Sequence, residues 1–237
     1  MERKKKIFYS ELCYVFGIII LAMGASIMER ANFGLSMVVA PAYVIHLKVV
    51  NYLPFFTFGM SEYIFQGLLL IIMWIITRKF RPAHLFSFVT AVIYGLLLDG
   101  FMFLLDFLPD PGIAERIILY SVGVFMGALG VMFIFRTYIA AEVYELFVKE
   151  FSEAFKKDVG RVKLIYDLVS CLLAVVLSFA FFGLWKFEGV KWGTIICAVV
   201  TGPLITVMGK LFDRHFEVAD KLKFRKIFEG KTGKEND

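Results

Sequence analysis

Several polar side chains stand inside runs that are otherwise apolar: Glu62 and Gln66 in SEYIFQGLLLIIMWII, Asp99 in VIYGLLLDGFMFLL and Asp167 in VKLIYDLVSCLLAVVL. A charged group at the centre of a bilayer costs at least about 2.5–3.5 kcal/mol even on the gentler insertion scales. Each such residue therefore carries a functional expectation by default, as half of an ion pair or as part of a polar route. Glu62 and Gln66 are four apart and share one helix face, and Lys163 and Asp167 repeat that spacing. By depth, Glu29, Arg30, Glu62, Gln66 and Asp99 are expected to converge in the outer half, Asp99 lying roughly 20 Å along its helix at 1.5 Å per residue. Arg136, Lys163, Asp167 and Thr206 are expected to converge in the inner half.

Two readings of these groups stay open. In one the charges simply pair, Arg30 with Glu62 or Asp99 and Arg136 with Asp167. In the other the two clusters gate a polar pathway, with Gly95 and the Gly202-Pro203 step near its middle. Pro203 removes a backbone donor inside KWGTIICAVVTGPLITVMGKL, so freed carbonyls at membrane depth need partners, and the stretch is expected to break there. Asp106 and Asp213 read as interfacial, and His46, His84 and His215 as surface residues.

The elements that hold these residues are membrane helices. The chain is 59% hydrophobic and 20% charged with 27 Phe, and its mean hydropathy is +0.76. Six apolar runs, roughly 12–30, 61–77, 84–106, 116–136, 164–184 and 190–211, are each near the length of about 20 residues that a helix needs to cross a hydrocarbon core. With both ends inside, 21 of the 26 basic residues fall on the cytoplasmic side, which orients the chain with its termini in the cytoplasm. The first run lacks a small-x-small cleavage site and reads as a retained helix. Cys13, Cys171 and Cys197 sit in apolar segments as small core residues. No Gly-rich phosphate loop, HExxH, metal-spaced Cys/His set or nucleophile elbow appears, so no enzyme chemistry, metal or cofactor is expected.

The chain also reads as two copies of one unit. GIIILAMG, Gly17 to Gly24, is answered by GVFMGALG, Gly123 to Gly130, and two glycines seven apart lie on nearly one helix face. Arg30 falls opposite Arg136, Gln66 opposite Asp167, Gly95 opposite Gly202 and Asp99 opposite Thr206, at offsets of 101 to 107 residues. Three spans per copy force the copies to cross in opposite senses. The fold expected is all-α: a polytopic membrane protein with six transmembrane helices as two inverted three-helix repeats. A basic N-terminus (1–11) precedes repeat 1 (12–108), which holds an interfacial or re-entrant segment at 34–47. Repeat 2 (115–212) holds an amphipathic helix at 138–157, expected to lie along the cytoplasmic face with Glu142, Glu145, Lys149, Glu150 and Glu153 mostly on its solvated side. A basic tail (213–237), read as a helical extension, offers Lys223, Arg225 and Lys226 to anionic lipid.

From GVFMGALG through Asp167 to GTIICAVVTGPLI the chain resembles the YczE-like and YitT-like bacterial integral membrane proteins. It keeps Gly193-Thr194, Gly202-Pro203 and the acidic Asp167, but reads Gly34-Leu35-Ser36-Met37-Val38 where that family tends to carry Gly-x-Pro-Trp-Asp. The resemblance implies a largely uncharacterised family presumed to transport something. The expected function is movement of a small or amphiphilic solute through a site between the repeats; the rival is a non-transporting module that binds lipid or a partner protein. Expected partners are membrane lipids and a small-molecule solute, with no nucleic acid, since the net charge of +5 belongs to the flanks. Oligomeric state stays open, a homo-oligomer included.

Overall fold

The computed structural model describes residues 5–78, 81, 83–157 and 159–222. In chain order the elements are β1 (Lys6–Tyr9), α1 (Ser10–Ala31), α2 (Ala40–Val49), α3 (Phe58–Thr77), α4 (Ala83–Asp106), α5 (Ile113–Ile134), α6 (Val143–Phe155), α7 (Val159–Phe182), α8 (Trp192–His215) and β2 (Phe216–Ala219). Six of the helices, all but α2 and α6, are long and apolar enough to cross a membrane. The molecule is thus an all-α polytopic membrane protein. β1 and β2 pair in parallel and bring both ends of the described chain to one side, called here the terminal side. The basic N-terminal segment and the start of the tail are therefore joined strands. Lys223, Arg225 and Lys226 lie outside the described residues.

The two long helices at the centre are α1 and α5, and their glycines explain why. A methyl group on Gly24 would stand 2.8 Å from Gly127 N and 3.0 Å from Gly123 O, and one on Gly123 would stand 2.9 Å from Gly24 O. At the other end, Gly130 meets Gly17 O at 2.9 Å and Leu21 N at 2.7 Å by the same measure. The helices run antiparallel with Gly17 beside Gly130 and Gly24 beside Gly123. Backbone approaches backbone over a whole turn and more, as small-xxx-small faces permit in a membrane, where packing must replace the hydrophobic effect. Ile18, Ala22, Met28, Val124 and Ile134 fill the core around this seam.

The short helices are inserted into the bundle. Helix α6 packs against α3: Val143, Leu146 and Phe147 share a cluster with Leu70, Met73 and Trp74. At its far end Glu150 meets Arg81 at 3.4 Å and His84 at 3.3 Å, next to the α3–α4 turn. Helix α2 does the same beside α7, with Ala40 and Val44 against Cys171, Ala174 and Val175, and Lys48 donating to Phe181 O near the end of α7. Of the segment expected at 34–47, helix α2 takes the later part, with Ala40, Pro41, Ala42 and Val44 buried. The expectation for 138–157 is corrected: the helix begins at Val143 and buries Glu142 and Glu150, because its polar face meets polar groups of α3 and α4. His84 is buried as well. Trp74 Nε1 donates to its Nδ1, which leaves Nε2 to carry the proton that faces Glu150.

Helix α8 departs from expectation in another way. It passes through Gly202 and Pro203 unbroken, and both residues are exposed on its outer surface. Pro203 leaves the Val199 carbonyl without its usual donor, and Thr206 donates to Gly202 O at 3.0 Å in the turn that follows.

The α1–α5 seam yields a test. Gly24→Leu and Gly123→Leu should each destabilise the protein by about 1–3 kcal/mol through overpacking. Gly127→Ala, which meets nothing within 4 Å, should be neutral or mildly stabilising. Thermal unfolding of the detergent-purified variants measures both.

Candidate functional site

The polar pair Glu62 and Gln66, expected in the outer half, lies in the first half of α3 and is met from a direction the sequence did not indicate. Gln66 is the ninth of the twenty residues of α3, and Gln66 and Glu62 are fully buried. The Gln66 carbonyl Oε1 accepts from Val143 N at 3.0 Å, so a side chain of one helix caps the N-terminus of another. Its Nε2 donates to Glu142 Oε2 at 3.1 Å and to Glu62 Oε2 at 3.5 Å. Tyr144 OH donates to the same Glu62 oxygen at 2.7 Å. The remaining oxygens, Glu62 Oε1 and Glu142 Oε1, are buried and accept no hydrogen bond from the described residues.

The chain approaches this point as non-helical backbone, and span residues hold it there. Tyr138 N donates to Ser10 Oγ at 3.2 Å, and Tyr138 OH donates to Glu11 at 2.8 Å. Thr90 donates to Ala140 O at 2.8 Å while its hydroxyl also meets Tyr14 OH at 2.9 Å. Val38, two residues before α2, packs into the cluster of Tyr144, Val148 and Tyr166 and brings the approach to that helix near the same region. The N-terminal ends of both short helices, each with a partial positive charge, thus reach one region.

Beside it, Lys163 Nζ lies 2.9 Å from Asp167 Oδ1 on α7, with 35% and 27% of the two side chains exposed. The field of Lys163 also reaches Glu142 and Glu145. Burial, then the charges of Glu145 and Glu62, hold the Glu142 carboxyl well above its ordinary value of 4.5. Burial raises Glu145 too, against the pull of Lys163.

The other candidates are placed elsewhere. Arg30 pairs with neither Glu62 nor Asp99; it donates to the carbonyls of Leu108 and Pro109 at 2.5 and 2.8 Å and so ties down the end of α4. Arg136 turns away from Asp167 to Asp213, with contacts of 2.8 and 2.7 Å, because both stand at the terminal side. Glu29 accepts from Tyr43 OH at 3.0 Å. Asp99 accepts from Thr57 OH at 2.6 Å and Gly59 N at 2.7 Å, which fixes the start of α3, and Gly95 lets the α4 backbone close on Gly59. Gly202, Pro203 and Thr206 face outward. The expected outer cluster is therefore scattered, and of the inner one only Lys163 and Asp167 remain together. Glu142 and Tyr144 were missed. Their signal was the apolar setting of Glu142 in YIAAEVY, a poor match to a solvated face.

A family model described as "Family of unknown function (DUF6198)" matches residues 8–210. The chain belongs to this family. The match runs from β1 into the last turns of α8 and includes every residue of the central group. It bears neither the YczE-like nor the YitT-like name. No curated protein and no solved structure matches the chain.

Asp99 is a positioning residue for α3. Asp99→Ala should cost about 1–3 kcal/mol of stability, since it removes a cap and charge-assisted hydrogen bonds. Asp99→Asn should recover part of that loss. Thermal unfolding gives the order wild type, Asn, Ala.

Proposed function

We propose that this chain is a transport protein of the bacterial inner membrane, with cytoplasmic termini, that moves a small or amphiphilic solute between two inverted repeats. The observation that carries the reading is the meeting of the N-terminal ends of α2 and α6 beside buried Glu62, Gln66, Glu142 and Tyr144. Short helices that end inside a bundle, with their positive ends and unpaired acceptors facing one place, form the kind of site that secondary transporters build between repeats. Soluble cargo and coupling ions need such groups at depth; a lipid scaffold does not.

Reciprocal packing supports the inverted arrangement. Helix α2 of the first half lies on α7 of the second, and α6 of the second lies on α3 of the first. The Gly17–Gly130 contact becomes the Gly123–Gly24 contact when the copies are exchanged. The halves also differ, as two gates in opposite states do. Helices α3 and α4 are closed on each other at Gly59 and Gly95, whereas their counterparts Gly160 and Gly202 are both exposed, and among the described residues α7 and α8 make no extensive contact. In this reading the pathway opens between α7 and α8, past Lys163 and Asp167, and the outer side is shut.

The test is thermal unfolding of the purified protein against a panel of metabolites, ions and lipids. A ligand that binds only the folded state at 100 times its Kd adds about 2.7 kcal/mol. A soluble compound should raise Tm in wild type and lose that effect in Asp167→Asn, with Asp99→Asn still responding. A response to anionic lipids alone would favour the lipid-binding module instead.

A further inference from the structure

We propose that Glu62 and Glu142 form a proton-binding site at the centre of the molecule and hold one exchangeable proton between them at neutral pH. The geometry makes the site. Four carboxyl oxygens face three hydrogens, those of the Tyr144 hydroxyl and the Gln66 amide, and two of the oxygens receive none. Glu62 is 0% and Glu142 4% exposed, so water does not make up the difference at the surface. Two buried carboxylates this close, both bonded to one amide nitrogen, repel each other when both are ionised, and one bound proton removes that repulsion.

Counter-charge at the pair is limited to the partial positive end of α6 and the field of Lys163. Helix α1 contributes Tyr14 and α4 contributes Tyr94 and Thr90, all uncharged hydroxyls. Helix α6 adds Glu145, a further acid, and α7 adds Tyr166, Asp167 and Lys163. Lys163 is the cation among these groups, and it is engaged by Asp167. Neither Glu62 nor Glu142 forms an ion pair among the described residues, and no group of three or more His, Cys, Asp or Glu there is arranged to hold a metal ion. A proton needs only the oxygens present.

As the coupling ion of transport this proton rests on the preceding reading; as a bound ion it is measured separately. Infrared spectra of the full chain in lipid nanodiscs at pH 7 should contain a protonated-carboxyl stretch that shifts in D2O. The band should be lost or halved in Glu62→Gln and Glu142→Gln and kept in Glu153→Gln, whose site is exposed. Gln has the shape of the protonated acid, so the first two variants should fold. Burial raises Glu142, so above its ordinary value of 4.5 the folded state binds more protons than the unfolded one. The Tm should therefore fall as pH rises from there towards the folded value, with a shallower slope in Glu142→Gln. A missing band at pH 7, or one unchanged in both variants, overturns the proposal. So does a Na+-induced rise in Tm, lost in Glu142→Gln, without any such band. A protein with the band that moves no solute keeps the proton site and loses the transport reading; a protein that moves solute without the band does the reverse.

Discussion

A backbone group taken out of water must find its hydrogen bond inside the protein, and much of this structure follows from two non-helical stretches, 32–39 before α2 and 135–142 before α6. Their polar groups are met one by one. Phe33 O accepts from Gly193 N at 3.0 Å, Leu35 N donates to Gly189 O at 3.3 Å, Ala140 O accepts from Thr90 and Val143 N donates to Gln66. The polar residues of the spans thus serve the inserted segments. Gln66 has two tasks, since its carbonyl caps α6 while its amide holds two acids.

The same constraint shows why the long helices were legible in the sequence and the short ones were not. A span declares itself by length and apolarity, and the six runs fall within a few residues of α1, α3, α4, α5, α7 and α8. The paired octapeptides also signalled a close contact, because glycines seven apart have few other uses on an apolar helix. The amphipathic pattern expected at 138–157 did mark a helix, which runs over Val143–Phe155. It did not say whether the other face met water or a second set of polar groups, and Glu142 and Glu150 meet the latter. Periodicity reports that a helix has two faces, not what each one touches.

Partner choice was the other gap. The expected depths of Arg30, Arg136 and Asp99 left several partners within reach of each. Arg136 takes Asp213 because α8 runs unbroken past Pro203 and brings that carboxylate alongside. Asp99 takes the start of α3 because Gly59 and Gly95 let the two backbones close. In each case the deciding feature is how two helices pack, which local spacing does not report. The pairs four apart on one helix, Glu62 with Gln66 and Lys163 with Asp167, survive because their spacing alone fixes them.

The account depends on α6 standing in the bundle beside α3, with its N-terminal end deep. Spin labels on single cysteines at positions 145, 149 and 153, in a chain freed of Cys13, Cys171 and Cys197, report depth through their collisions with oxygen and with a water-soluble nickel chelate. Four residues of helix advance about 6 Å, so depth should increase stepwise from 153 to 145. Equal depths at the three positions would mean that α6 lies flat on the membrane surface, and the central site would be lost with it.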